Sequence, residues 1–177
     1  MLDEVYQRPP AVRANLVQGS GGVFEDGAGS SRGISNSIDR ERLLDLRRLC
    51  DVLVTDGETA RTEQYRIPRF CDLAVITRSG FTPAAGESTK KYLEFRSSPV
   101  SAIQKLQDLG YERILLEVGP NLLRELMAAG MVDQLCLTNT SFTGPDLSRL
   151  GVTAAKLRLS ETKGDTTFSV WDEIRAV

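Results

Sequence analysis

Five short runs rich in aliphatic and β-branched residues constrain this chain more than anything else in it. They are "AVRANLV" (11–17), "VLVT" (52–55), "LAVIT" (73–77), "ILLE" (114–117) and "QLCLT" (134–138). Each has the length of a strand. Between them the apolar spacing changes to the helical period, which predicts helices over 39–50, 99–109 and 120–129. Ser37 is the expected N-cap of the first, with Asp39 and Glu41 near its positive end. Pro120 suits the start of the third and Gly130 its end. The tail "AAKLRLSETKGDTTFSVWDEI" holds two alternating runs around the turn-forming "KGD", a terminal hairpin. Strand–helix alternation followed by a hairpin describes an α/β fold, with a mostly parallel sheet and an antiparallel C-terminal edge.

Composition narrows the function. The 177 residues suit a single domain, 1–177, with enough material for a core. A net charge of −2 without basic runs argues against a nucleic-acid or anionic-membrane partner. No apolar stretch approaches the roughly 20 residues of a membrane-spanning helix. The start "MLDEVYQRPPAVRA" lacks the pattern of a signal peptide. There is no histidine, so Ser-His and Cys-His catalytic pairs are excluded, and no zinc site is expected. Cys50, Cys71 and Cys136 form no CxxC pair and read as reduced thiols of a cytoplasmic, metal-free protein.

Ligands of such sheets sit beyond the carboxyl ends of the strands. Three loops qualify. In "ILLEVGPNLLREL" (114–126) a strand ends in Glu117, turns through Gly119-Pro120 and enters a helix whose first amides can meet an anion. The alternative is a tight turn without a ligand. "VTDGETARTEQY" (54–65) reads either as an acidic ligand loop or as a solvated turn opening a short helix. The stretch from Gly19 to Ser35, dense in glycine and serine, either wraps a ligand or is a mobile surface loop.

One side chain stands out on helix 39–50. Leu43, Leu46, Leu49 and Cys50 form its expected buried stripe, and Arg47 falls at the edge of that stripe. A guanidinium there calls for an internal carboxylate or a ligand phosphate, unless it snorkels to water. Arg42 and Arg48 are expected to be solvated.

The segments "VRANLVQGSGG", "LLDLRRLCDVLVTDGETARTEQY" and "ILLEVGPNLLRELMAAGMVDQLCLT" resemble, in order, the pyrimidine reductase domain of riboflavin biosynthesis. That resemblance implies the three-layer fold of dihydrofolate reductase. It also implies NADPH-dependent reduction of 5-amino-6-ribosylamino-uracil 5′-phosphate, no metal, and a homodimer. By position, Gly33, Thr59 and Glu63 match cofactor contacts, and Gly119, Pro120, Asn121 and Leu122 match the cradle around the cofactor diphosphate. Ser31, Arg47 and Glu117 match substrate positions, which makes the substrate phosphate the anion for Arg47 and the Gly/Ser stretch a lid. No general acid is identified; Glu117 and Glu63 are the candidates. Three motifs depart from the family: Ser20-Gly21-Gly22 stands for S-L-D-G, Asp56-Gly57-Glu58-Thr59 for G-A-G-T, and Val118 for a glycine of E-G-G-P. These departures support a rival, a non-catalytic paralogue that keeps the fold as a ligand-binding or structural dimer.

Overall fold

Strands buried on both faces need no polar alternation, and here they pair into one eight-stranded sheet. The computed structural model describes residues 4–7, 10–141 and 144–177. In chain order the elements are α1 (Glu4–Gln7), β1 (Val12–Gln18), α2 (Ser37–Arg48), β2 (Val52–Asp56), α3 (Gly57–Thr62), β3 (Asp72–Ile76) and β4 (Tyr92–Phe95). Then come α4 (Pro99–Asp108), β5 (Ile114–Leu116), α5 (Pro120–Ala128), β6 (Gln134–Asn139), β7 (Val152–Lys163) and β8 (Thr166–Ala176). The spatial order is β4-β3-β2-β5-β1-β6-β8-β7. The first six of these are parallel, and β8 and then β7 add antiparallel at one edge.

The pleat sends successive residues to opposite faces, so each strand feeds two cores. Val52, Val54, Ile114 and Leu116 join one, with Ile103 and Leu106 of α4 and Leu123 and Leu126 of α5. Leu53, Leu73, Val75 and Leu115 join the other, with Tyr6 of α1, Leu46 of α2 and Ala60 of α3. The sheet is thus the middle of three layers. Each of these buried leucines stabilises the fold by roughly 1.5–3 kcal/mol.

The five strands and three helices expected from periodicity are present, as is the hairpin, which turns at Gly164 with φ +64°. β4 was not expected. It has four residues, only Phe95 is buried, and Glu94 interrupts it, so an edge position leaves no apolar signature. The cap of α2 is Asn36 rather than Ser37: its Oδ1 accepts the Asp39 amide at 3.0 Å. Either residue type can cap. Asn36 is selected by a contact across the fold, its amide donating to Thr166 Oγ1 at 2.6 Å.

The expected solvation of Arg42 is also corrected. Its guanidinium lies between the rings of Tyr6, 4.4 Å from the centroid, and Phe168, at 4.5 Å, and reaches Glu161 at 3.2 Å. α1 and β8 create this slot, and neither is adjacent to α2 in sequence. Arg48 is exposed as expected and pairs with Asp45. Of the expected stripe, Leu46 and Cys50 are buried, while Leu43 and Leu49 are half-buried.

Candidate active site

β2 and β5 are adjacent and parallel, so the loops that follow them emerge side by side. The glycine-rich segment after β1 folds toward the same end of the sheet, where Ser30–Arg32 meet Glu63. The site residues inferred from sequence come together here chiefly as one another's partners.

Glu117, at the end of β5, is 6% exposed in its side chain and receives a fork from Arg47: Nε donates to Oε1 at 2.9 Å and Nη2 to Oε2 at 2.5 Å. The Tyr65 hydroxyl donates to the same Oε2 at 2.6 Å. The Arg47 guanidinium also lies 5.3 Å from the centre of the Tyr65 ring. Of the two anions the sequence left open for Arg47, this structure supplies the internal carboxylate. Burial opposes the charge on Arg47, but Glu117 outweighs it and holds the guanidinium protonated more firmly than usual. Burial and then the Glu117 charge push the Tyr65 hydroxyl well above the ordinary tyrosine range, so it stays a neutral donor.

Tyr65 was missed by sequence reasoning, although it closes the segment 54–65. Its position follows from the way α3 ends. Gln64 adopts φ 53°, its amide donates to Arg61 C=O at 3.2 Å, and the Tyr65 amide reaches back to Ala60 C=O at 2.9 Å. This is a Schellman turn with glutamine in the left-handed position usually given to glycine. It returns Tyr65 to the core beside Glu117.

Glu63 organises the first loop. Its Oε1 accepts from the Ser31 amide at 2.8 Å and from the hydroxyls of Ser30 and Ser31 at 2.9 and 3.0 Å; its Oε2 accepts from Arg32 at 2.9 Å. Burial alone would raise its pKa, but these donors together hold it below the usual carboxylate range. Glu63 is therefore an anchor and has no proton to give. Gly33 lies in the same loop, its amide donating to Asp26 at 3.1 Å; a Cβ there would fall 2.4 Å from the Asp26 carboxylate.

Thr59 and Gly119 meet on a third carboxylate, Asp56. Thr59 Oγ1 donates to its Oδ2 at 2.8 Å and the Gly119 amide to the same oxygen at 2.7 Å. Beyond Gly119, Pro120 opens α5 and Asn121 accepts a bond from Arg124. The amides of Asn121 and Leu122 precede the first α-helical bond, which Leu123 makes to Gly119 C=O at 3.0 Å. The turn thus offers donors to a diphosphate, but its Gly119 amide is already engaged by Asp56. The fit to that group is incomplete.

A cleft of about 670 Å³ opens beside these pairs, lined by Ser31, Arg47, Glu63, Tyr65, Arg66 and Arg69 among others. A second of about 640 Å³ lies across Tyr65, bordered by Arg61, Phe81, Glu94 and Arg96. The start of α5 lines neither of these two. Among the described residues no cluster of histidine, cysteine, aspartate and glutamate is placed to hold a metal, and no helix is long and apolar enough to cross a membrane.

Comparison with known proteins gives the family and the fold. The sequence model of the family described as RibD C-terminal domain matches residues 10–143. A pyrimidine reductase-like protein of Corynebacterium diphtheriae superposes with TM-score 0.73 at 19% identity, over 99% of this chain and 96% of that one. RibD of Acinetobacter baumannii gives TM-score 0.70 at 12% identity, over 93% of this chain but 58% of its own. The riboflavin biosynthesis reductase of Saccharomyces cerevisiae gives 0.58 at 12%, over 97% and 92%. No curated protein matches the sequence significantly.

Proposed function

The chain belongs to the RibD C-terminal domain family, with its riboflavin-pathway reductase-like fold, and on that premise we propose that it is a pyridine-nucleotide-dependent reductase of a small phosphorylated substrate. NADPH is the preferred cofactor by resemblance, and 5-amino-6-ribosylamino-uracil 5′-phosphate or a close relative the preferred substrate. One observation carries the reading. Ser31, Arg47 and Glu117, drawn from three distant segments, stand on or beside one cleft with Glu63 and Tyr65.

Within that cleft, the cation for a phosphate is better supplied by Arg66 and Arg69 than by Arg47. Arg47 is committed to Glu117, whereas Arg66 has no side-chain partner among the described residues and Arg69 is only 3.9 Å from Glu87. Arg47 and Glu117 then form a rigid wall on which Tyr65 is positioned, while Glu63 positions Ser31. With Glu63 held ionised and both oxygens of Glu117 accepting from Arg47 and Tyr65, the proton that accompanies hydride transfer comes from water. The cytoplasmic homodimer belongs to the same proposal.

The non-catalytic alternative is favoured by a specific observation: both carboxylate oxygens of Glu63, of Glu117 and of Asp56 are engaged by internal donors. Calorimetric or fluorescence titration with NADPH and NADH, followed by single-turnover oxidation of bound NADPH by the pyrimidine substrate, separates the two. Binding with oxidation supports the reductase. Binding without oxidation of NADPH by any phosphorylated ribosylamine leaves the ligand-binding paralogue, and light scattering tests the dimer.

A further inference from the structure

Asp56 does more than cap α3. Its Oδ1 accepts the amides of Glu58 at 3.0 Å and Thr59 at 2.8 Å, which is the whole task of an N-cap. Its Oδ2 accepts Thr59 Oγ1 and, at 2.7 Å, the amide of Gly119, a residue 63 positions away at the start of α5. A carboxylate has about four acceptor positions, and all four are in use. The positive ends of two helices therefore converge on one side chain.

From this arrangement we propose that Asp56 is an internal anion that occupies the diphosphate position at the Gly119-Pro120 turn and so sets how tightly a dinucleotide can bind. The inference deepens the reductase reading and rests on it for the identity of the ligand. Capping requires only Oδ1, so serine or asparagine would serve α3 equally well. The second oxygen brings a full negative charge to a donor that an incoming phosphate would need. Because the carboxylate is tethered, it competes at a high effective concentration. A phosphate that takes the Gly119 amide must displace Asp56, and the displaced charge stays close enough to repel it. The Gly119 amide is thus already satisfied within the fold, and the start of α5 lines neither of the two clefts.

The test uses Asp56→Ser and Asp56→Asn. Serine keeps a capping hydroxyl for α3 but is too short and uncharged to hold the Gly119 amide. Asparagine keeps the volume and the Oδ1 cap and replaces the second oxygen with a group that cannot accept. Wild type and both variants are titrated by calorimetry with inorganic pyrophosphate and, separately, NADPH, after thermal melts establish folding. Both probes are expected to bind the variants at least tenfold more tightly than wild type. Pyrophosphate binding no tighter in either folded variant overturns the inference. A gain for pyrophosphate with no NADPH binding by any of the three proteins upholds Asp56 as the internal anion and removes the dinucleotide reading instead.

Discussion

Arg47 and Glu117 are joined by a two-bond fork, 2.9 and 2.5 Å long, between the end of α2 and the end of β5, 70 residues apart. The arginine side chain is 22% exposed and the glutamate 6%, so most of this pair is withdrawn from water. Stability and substrate recognition can therefore be separated at one residue.

Arg47→Ala leaves Glu117 with only the Tyr65 hydroxyl and is expected to cost about 2–3 kcal/mol, less than the roughly 3–5 kcal/mol of a fully buried pair because the arginine is partly solvated. Arg47→Lys keeps the charge, loses the planar fork and is expected to cost about 1–2 kcal/mol. Urea unfolding at pH 7 measures both. A lysine variant of unchanged stability whose KM for the phosphorylated substrate rises about tenfold would return the phosphate role to Arg47.

Glu63 makes the loop after β1 sensitive to acid. Its folded-state pKa is depressed, so the unfolded chain binds more protons in the interval between the two values. The stabilisation is complete above the ordinary glutamate pKa of about 4.3 and is lost as pH falls through the lower folded value. Amides 28–35 are expected to gain hydrogen exchange before the β-sheet does as pH drops below about 4. In Glu63→Gln the same loop exchanges faster at pH 7, and its acid sensitivity shrinks to the part contributed by Asp26, whose depressed carboxylate accepts the amides of Ala28, Ser30 and Gly33.

Arg42 and Arg48 lie on the same helix and predict opposite outcomes. Arg42→Ala removes two ring contacts and an ion pair at a side chain 9% exposed, and is expected to cost about 2 kcal/mol or more. Arg48→Ala, at an exposed pair, is expected to change stability by less than about 0.5 kcal/mol. Parallel denaturant titrations suffice.

Two glycines of the site differ in what they tolerate. A Cβ at Gly57 would stand 2.4 Å from Thr77 Oγ1 and 2.6 Å from Thr77 Cβ, so Gly57→Ala is expected to cost about 1–3 kcal/mol through overpacking. A Cβ at Gly119 meets only Asp56 at 3.5 Å and Thr59 at 3.7 Å, ordinary contacts. Gly119→Val is thus expected to fold normally and to abolish NADPH binding. Unchanged affinity in that variant removes the Gly119 turn from the cofactor site.

Apart from the edge strand β4, the order of the strands and of the three longer helices was legible in the sequence because a strand buried on both faces is written as an apolar run and a helix as a 3.6-residue period, both local signals. The antiparallel hairpin was legible for the same reason. The motifs also marked Ser31, Arg47, Glu63, Thr59, Glu117 and Gly119 as a group, and all six are held by hydrogen bonds to one another or to Asp56. Their pairing was not legible. Which carboxylate meets Arg47, that Tyr65 joins it, that Asp56 bridges α3 to α5, and that Arg42 is sandwiched while Arg48 is solvated all depend on side chains tens of residues apart. A charge pattern records that a partner is needed; only the parallel pairing of β2 with β5, which brings their following loops side by side, decides which partner it is.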